Sequence, residues 1–251
     1  MNPTTFSAVR RVPRWGALAL ACALAAGCAS GPHAHPDDPL EPYNRAMTTF
    51  NDRVDDAVLR PVATVYRDVA PRPLRTGVGN FFGNLGDAWS FVNNVLQLRL
   101  RDAYDSMVRF NVNTVFGLGG VLDIASEMGI ERHKQDFGLT LGRWGVPTGP
   151  YLVLPLLGPS TLRDTAALPA DHWGDLVRQV DPVSARNTLY GLRVVDKRSR
   201  LLQAGEVLDN AALDSYSFTR DVYLQVRNNH ALSSRKARAR DEEAGRISDD
   251  Y

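Results

Sequence analysis

Two histidines in the middle of the chain, His133 and His172, are the side chains best suited to acid–base chemistry. Each lies among charged residues, and Asp136, Asp164 or Asp171 could orient an imidazole that acts as a general base. The sequence places no nucleophile beside either histidine, and charged residues of this kind usually face solvent or cap helices. No catalytic constellation can therefore be assigned, and we expect the protein not to be an enzyme.

The stretch GVGNFFG, residues 77–83, has the spacing of a variant dinucleotide-binding fingerprint. That motif requires a buried strand directly before it, whereas here it follows the proline-containing stretch PRPLRT. The P-loop pattern and the G-x-S-x-G pattern of esterases do not occur in the sequence. We therefore expect no cofactor.

His33 and His35 form a His-x-His pair of the kind that can bind a metal ion. The pair lies in a Gly-, Pro- and Asp-rich stretch, residues 29–39, and no second pair of ligands is near in sequence. We predict that this stretch is a solvated linker and that it holds no metal.

Cys28 is the residue with the most specific predicted chemistry. It ends the stretch LAAGC, which resembles the bacterial lipobox, where the cysteine thiol receives a diacylglycerol and becomes the mature N-terminus. A basic stretch and an apolar segment, Trp15–Gly27, precede it, as in a signal peptide. Ordinary cleavage near Ala26 is the alternative, but it would leave a lone thiol exposed in an oxidising compartment. We predict that residues 1–27 are removed and that Cys28 is lipidated.

The residue that follows Cys28 indicates the membrane to which the protein is exported. It is Ala29 and not aspartate, which by resemblance to the Gram-negative sorting rule favours export to the outer membrane. Each buried methylene of an acyl chain contributes about 0.8 kcal/mol, so two or more chains hold a protein stably on a membrane. We therefore expect an outer-membrane lipoprotein.

The composition is that of an ordinary globular protein with little net charge. Hydrophobic residues make up 44% and charged residues 23% of the 251 residues, and the formal net charge is +1. The length allows one large domain or two small ones. The near-neutral balance offers no basic surface for nucleic acid, so we expect no nucleic-acid partner.

Apolar residues recur at spacings of three and four in several segments, which predicts a mostly α-helical protein. The predicted helices cover residues 43–69 with a kink or restart at Pro61, 76–100, 102–116, a short stretch after GLGG at 117–120, about 20 residues capped by Asp181–Pro182, and 209–230. Thr161 is the predicted N-cap of a further short helix. Few segments alternate with period two, so no large sheet is expected, and residues 131–160 are predicted to be extended or looped.

The most apolar stretch after the leader is GPYLVLPLLGPS, residues 149–160. It is much shorter than the roughly 20 residues of a membrane-spanning helix. Pro155 would also cost a continuous helix a hydrogen bond, at roughly 3 kcal/mol. We predict that its central residues pack against helices on one side and face lipid or a channel on the other: Tyr151, Leu152, Val153, Leu154, Pro155, Leu156 and Leu157.

Several blocks of the chain, in the same order, resemble the MlaA (VacJ) family of outer-membrane lipoproteins. The longest and most specific block is DFGLTLGRWGVPTGPYLVLPLLGPSTLRD, at residues 136–164. Shorter matching blocks lie at residues 38–51, 60–85, 109–125 and 215–227. The likeness covers roughly residues 38–230 and leaves out the signal peptide and the charged tail.

This resemblance implies a fold and a role. Members of the family form a helical ring in the periplasm-facing leaflet of the outer membrane, beside trimeric porins and around an amphipathic channel. Phospholipids that have strayed into the outer leaflet pass through the channel to a soluble periplasmic carrier, which preserves lipid asymmetry. The chain is thus expected to be a ring-like bundle of amphipathic helices with irregular Gly/Pro-rich apolar segments, embedded in one leaflet of a Gram-negative outer membrane.

The domain organisation follows from these predictions. Residues 1–27 are the signal peptide, 28–39 the lipidated N-terminus and linker, 40–230 the helical domain, and 231–251 a charged tail that we expect to be disordered. Two other functions stay open: a membrane-tethered hydrolase that uses His133 or His172, and a structural lipoprotein that braces a porin. A conduit differs from the hydrolase because it leaves phospholipid intact, and from the brace because it alters the lipid content of the cell surface.

Overall fold

The computed structural model describes residues 35–211 and 213–228, except for the side chains of residues 206–211. The signal peptide, Cys28, His33 and the charged tail lie outside the described residues, so what the sequence predicts for them stays a prediction. Within the described part, helices dominate and the strands form a single two-stranded sheet.

The first helical unit is a rod interrupted by one wide turn. Helix α1 (Glu41–Val54) leads through a π-helical turn (Asp55–Leu59) into α2 (Arg60–Val69). Pro61 lies in the first turn of α2, where a missing N–H and a fixed φ are tolerated. The predicted restart of the helix at Pro61 is confirmed.

Prolines both end α2 and begin α3. Ala70 is extended, as expected for a residue that precedes a proline, and α3 (Arg72–Leu96) carries Pro73 in its first turn. The helix then continues through all the glycines of residues 77–83. These glycines therefore follow another helix and not a strand, which excludes a dinucleotide-binding turn.

Helix α4 (Leu100–Val115) packs along α3 through a polar seam. The buried polar residues along the contact recur every three or four positions: Asn84, Asp87, Ser90 and Asn94 on α3, and Ser106, Arg109 and Asn113 on α4. Two of the hydrogen bonds across the seam are Asn84 Nδ2 to Thr114 Oγ1 at 2.9 Å and Asn94 Nδ2 to Ser106 Oγ at 3.3 Å. Because buried polar groups are costly unless paired, this seam fixes the alignment of α3 and α4.

The glycines after α4 break the helix as predicted. Gly119 and Gly120 have positive φ, and the short helix α5 (Ile124–Glu127) follows. Asp123 caps α5 by accepting a hydrogen bond from Ser126 N at 3.2 Å.

Helix α6 (Phe137–Arg143) shows that the prediction of extended or looped structure for residues 131–160 is wrong in this stretch. Asp136 caps the helix, since its Oδ1 accepts from Leu139 N at 2.8 Å. The glycines within α6 lower its helix propensity, which concealed it in the sequence. Gly138 is nevertheless required there, because a Cβ atom would lie 2.5 Å from Asp164 Oδ1.

The apolar segment folds into a β-hairpin of β1 (Tyr151–Leu154) and β2 (Gly158–Thr161), paired antiparallel. The outer edge of β1 is satisfied by a side chain of α1 and not by another strand. Asn44 accepts from Val153 N at 2.8 Å and donates to Tyr151 O at 3.1 Å. The sequence pattern predicted an extended segment but not its pairing.

The last third of the chain contains three helices and a short 3₁₀ turn. Helix α7 (Leu162–Gly174) is capped by Thr161, as predicted, with Asp164 N donating to its Oγ1 at 3.2 Å. A 3₁₀ turn (Leu176–Gln179) then leads to α8 (Val183–Ala211), and α9 covers residues 215–228.

Two predictions for this region are wrong. Helix α8 begins at Val183, so, contrary to the prediction from sequence, Pro182 is not its first residue and Asp181 is not its N-cap. It also runs for 29 residues through Gly205 to Ala211, where the sequence predicted a break before residue 209. A glycine costs about 1 kcal/mol within a helix, which packing along the length of α8 outweighs.

These elements close into a ring. Helix α2 packs against α8, α8 against α3, α3 against α6, α6 against α7, α7 against β2, and β1 against α1. Because α1 and α2 form one rod, the chain of contacts returns to its starting point. The ring-like bundle of amphipathic helices expected from the sequence is confirmed.

The side chains are distributed in the opposite way to those of a typical soluble protein. Among the described residues, 21 polar or charged residues are buried against 11 hydrophobic ones. Large apolar side chains lie outside instead, and four valines follow one face of the rod: Val58, Val62, Val65 and Val69. An apolar surface of this extent requires a partner or lipid to cover it.

None of the helices in the described part combines the length and the apolarity needed to cross a membrane.

Candidate functional site

A cavity of about 510 Å³ lies where α3, the end of α7 and α8 meet. The segment between α5 and α6 contributes the remaining wall through Arg132 and Lys134. The cavity has one wall of glycines and aromatic rings and a facing wall of charged side chains.

The glycines of α3 make room for the cavity. Gly79, Gly83 and Gly86 share one face of the helix and line the space. A Cβ atom on Gly79 would lie 1.9 Å from Arg200 Nη2, and one on Gly83 would lie 2.7 Å from Arg132 Nη1. These two glycines thus let arginines lie flat against α3. Gly86 has nothing within 4 Å of the position of a Cβ atom and faces open space.

Trp89 extends this wall towards the end of α7. Its indole N–H donates to Asp171 Oδ1 at 2.8 Å, and the ring lies on Gly174, where a Cβ atom would come within 2.1 Å of it. Burial raises the pKa of Asp171, and the hydrogen bonds from Phe137 N and Trp89 oppose part of that rise. With Phe82 and Leu85, the wall presents an apolar surface to the cavity.

The facing wall belongs to α8. Arg193, Asp196, Lys197 and Arg200 follow one another along the helix within two turns, so they project from one side of it into the cavity. The Arg193 guanidinium also lies 4.9 Å from the centre of the Phe82 ring, across the cavity from its own helix. Charged and apolar groups therefore meet at close range.

Each arginine of the cavity forms an ion pair with an aspartate. Arg193 Nη1 lies 2.7 Å from Asp175 Oδ2, and Arg200 Nε lies 3.0 Å from Asp196 Oδ2. Arg132 Nε lies 3.0 Å from Asp87 Oδ1, which is buried. The arginines are consequently held in place and partly neutralised.

The aspartates of these pairs respond differently to burial. Burial alone would raise the pKa of Asp175, but the hydrogen bonds from Arg193 and from Val177 N, together with the Arg193 charge, outweigh it and the pKa is lowered. For Asp87 burial prevails, so its pKa is raised although Arg132 and Arg109 oppose the rise. Asp87 therefore depends on both arginines to remain ionised.

The two lysines of the cavity differ from the arginines. Among the described residues, neither Lys134 nor Lys197 has an ion-pair partner. Both lysines are exposed, yet the pKa of Lys197 is lowered, first by the protein atoms that surround its side chain and second by the positive charge of Lys134. The cavity therefore combines an apolar wall with unpaired positive charge.

The residues that form the ring match a known protein family. Residues 36–230 match the family described as MlaA lipoprotein. The chain belongs to the MlaA lipoprotein family. The match begins just before α1 and ends just after α9, so it covers the entire ring.

Individual relatives agree with this assignment. The intermembrane phospholipid transport system lipoprotein MlaA of Escherichia coli (strain K12) is 38% identical over 222 residues, which are 84% of this chain and 86% of that protein. The protein of the same name from Haemophilus influenzae is 36% identical over 195 residues, or 75% of this chain and 77% of its own. A solved chain from "Structural basis for maintenance of bacterial outer membrane lipid asymmetry" superposes with a TM-score of 0.62 at 35% identity, covering 77% of this chain and 98% of that one.

Within this MlaA-like ring, the predicted lipid-contacting segment divides into two parts. Tyr151 and Val153 are buried in the protein, where they pack with residues of α9. Leu156 and Leu157, at the tip of the hairpin, are 67% and 69% exposed. The tip is held by α1, since Asn51 accepts from Leu156 N at 2.7 Å.

The two histidines are not brought to the cavity. His133 Nε2 lies 3.1 Å from Asp105 Oδ2 and 3.8 Å from Asp102 Oδ1, at the start of α4. His172 is exposed in the last turn of α7.

None of the aspartates proposed from sequence as their partners contacts either histidine in the described hydrogen bonds. Asp136 and Asp164 both bind Arg227, and Asp171 accepts from Trp89. These carboxylates tie helices together and do not orient an imidazole.

Sequence analysis missed the charged wall of the cavity. The signal was present, because Arg193, Lys197 and Arg200 recur at helical spacing in a segment with few apolar residues on that face. What the sequence lacked was any indication that this face lies opposite the glycines of α3.

Proposed function

We propose that this protein is a non-enzymatic outer-membrane lipoprotein that moves phospholipids through its helical ring. It removes mislocalised phospholipids from the outer leaflet and passes them to a soluble periplasmic carrier, which maintains lipid asymmetry. The names of the Escherichia coli and Haemophilus influenzae relatives, which describe intermembrane phospholipid transport, support this proposal.

The amphipathic cavity is the observation that carries the proposal. A phospholipid has a charged headgroup and apolar chains, and the cavity offers it charged side chains on α8 and an apolar wall on α3. The glycines of α3 keep the passage open without leaving polar backbone unpaired, because the helix satisfies its own hydrogen bonds.

The distribution of side chains supports an embedded position. Polar groups are buried within the ring, whereas apolar side chains cover its outside, including the valines of α2 and the residues around Phe116 and Leu118. Such a surface is stable in the periplasm-facing leaflet, next to a trimeric porin, and would be unstable in water. Lipidated Cys28 would hold the protein at the same leaflet.

A hydrolase is the less well supported alternative. His133 is paired with aspartates of α4 and His172 is exposed, and neither lines the cavity. A purely structural brace for a porin would need the apolar surface but not an amphipathic cavity with unpaired lysines.

The test is the phospholipid content of the outer leaflet in a strain that lacks this protein. We expect outer-leaflet phospholipid to rise, the cells to become sensitive to detergent with EDTA, and the wild-type gene to reverse both effects. Unchanged surface lipid in the deletion strain would refute the conduit. Release of fatty acid or lysolipid by the purified protein, abolished by His133→Ala or His172→Ala, would establish the hydrolase instead.

The hairpin tip should contact lipid while the base of the hairpin does not. A photoreactive residue introduced singly at positions 151–157 is expected to capture phospholipid at 156 and 157, because these leucines are exposed and apolar. At 151 and 153 it should capture only this protein, since both side chains are buried. If positions 156 and 157 captured only protein, including a porin, the tip would be a protein interface and not a lipid contact.

A further inference from the structure

We propose that Lys134 and Lys197 form a subsite of the cavity that binds the phosphate group of a phospholipid headgroup in transit. This inference rests on the proposed function and adds to it the residues that recognise the cargo. Its first support is the pairing of charges in the cavity.

The charges that line the cavity do not cancel. Five cationic side chains face it, and three of them, all arginines, are matched to Asp87, Asp175 and Asp196. The fourth aspartate, Asp171, accepts its hydrogen bonds from Trp89 and from Phe137 N, which are neutral donors. Even with Asp171 ionised, the five cations outnumber the four aspartates, and within the part of the chain that the structure describes the cations that lack an ion-pair partner are the two lysines.

The position of the lysines directs that charge into the cavity. Lys197 projects from the same side of α8 as Arg193 and Arg200, and Lys134 approaches from the segment before α6. Both lysines line the same cavity, and repulsion from the charge of Lys134 is the second cause of the lowered pKa of Lys197. An anion between them would remove the repulsion and supply the missing partner.

The use of lysine is itself informative. The sequence contains only three lysines, at positions 134, 197 and 236, among 29 basic residues. Two of the three line this cavity, whereas the fixed ion pairs around it are made by arginine. A lysine is a point charge on a flexible stem and binds phosphate without a rigid geometry, which suits a ligand that must leave again.

The ligand is a phosphate ester that also carries apolar chains. The wall opposite Lys197 consists of Phe82, Leu85, Trp89 and glycines, which offers nothing to a free phosphate ion but accepts acyl or glycerol methylenes. A phospholipid therefore satisfies both walls at once, and inorganic phosphate satisfies only one.

The test uses the full-length lipidated protein in a neutral detergent. Binding of short-chain phosphatidylglycerol is followed by native mass spectrometry, alongside diacylglycerol with the same chains and inorganic phosphate. We expect Lys134→Gln/Lys197→Gln to weaken phosphatidylglycerol binding about tenfold and to leave diacylglycerol binding unchanged. Lys236→Gln removes the third lysine of the sequence, which lies outside the described residues, and should have no effect, whereas Lys134→Arg/Lys197→Arg should retain binding.

The possible results separate this inference from the proposed function. Equal weakening for diacylglycerol would overturn the subsite, because the variant would then have damaged the cavity as a whole. Phosphatidylglycerol binding that survives in the glutamine variant would also overturn it, while leaving the conduit intact. Inorganic phosphate that binds as tightly as the lipid, and is lost in the variant, would reassign the lysines to a free ion. Failure of the wild-type protein to bind any lipid would refute the conduit itself.

Discussion

A deletion strain that expresses Gly86→Trp is expected to keep a raised level of outer-leaflet phospholipid, although the variant protein folds. Gly86 lines the cavity on α3, and no atom lies within 4 Å of the position that its Cβ would take. The first atom of a side chain there enters open space, so we expect the side chain to obstruct lipid without forcing the ring apart. An indole is large and rigid, so it occupies a substantial part of a cavity of about 510 Å³. The measurement is surface phospholipid in a deletion strain that expresses the variant at wild-type level.

Gly86→Ala is the matched control for this obstruction. The methyl group adds little to the wall, and alanine stabilises a helix interior by about 1 kcal/mol relative to glycine. The alanine variant should therefore complement the deletion fully and unfold at a slightly higher temperature. Full complementation by the tryptophan variant would mean that phospholipid does not pass this part of the ring.

The glycines of α3 also show what the sequence could and could not reveal. A concentration of glycines usually indicates close backbone approach or a loop, and Gly79 and Gly83 do let arginine side chains lie against the helix. Gly86 has no such neighbour and serves to leave space. The two roles look identical in sequence, because they differ only in what lies opposite the glycine in the folded chain.

The periodicity of α2 gives the same lesson for apolar residues. Valines at spacings of three and four predicted an amphipathic helix correctly. The valine face points outward, however, and Ala63 is the buried residue of this helix. Periodicity identifies a helix with two unlike faces, but whether water, lipid or protein covers the apolar face depends on the environment and not on the pattern.

Long-range pairing was beyond the sequence for a related reason. Asn44 and Asn51 of α1 satisfy backbone groups of a hairpin that lies far along the chain, at Val153 and Leu156. An asparagine within a helix carries no mark of such a role, since most asparagines at such positions face solvent or form a local hydrogen bond. The seam between α3 and α4 was equally hidden, because buried asparagines contradict the expectation that cores are apolar.

That polar seam is the basis for the second large effect, because Arg109 lies at its centre. The side chain is 1% exposed, and its guanidinium binds both oxygens of Asp123 at 2.8 and 3.0 Å. It also contacts Asp87 and the backbone carbonyl of Ile130. One cation therefore holds α3, α4 and the cap of α5 together.

Arg109→Met should destabilise the protein by about 3–5 kcal/mol, since it keeps much of the length of the side chain but leaves buried Asp87 and half-buried Asp123 with Arg132 as their remaining cation. The measurement is thermal unfolding in detergent, with Arg109→Met/Asp87→Asn as the control that also removes the charge of Asp87, which is then under-compensated. The double variant should recover part of the loss. If the two variants were equally unstable, the loss would come from packing and not from charge.

The pH dependence of the stability of Arg109→Met tests separately whether Arg109 stabilises the fold through its charge. Burial already raises the pKa of Asp87, and loss of Arg109 removes one of the charges that oppose the rise. A carboxyl whose pKa is higher in the folded than in the unfolded state stabilises the fold less as pH increases between those two values. For Asp123, hydrogen bonds from Ser126 and Asn113 together with the Arg109 charge outweigh burial and lower its pKa. The stability that ionised Asp123 contributes is present above the pKa that this carboxyl has in the unfolded chain, and this contribution is reduced in the variant.

The effects at Asp87 and Asp123 act in the same direction. The difference in unfolding free energy between wild type and Arg109→Met should therefore be larger at pH 7 than at pH 4. A difference that stayed constant across this range would show that Arg109 acts on the fold by its shape alone.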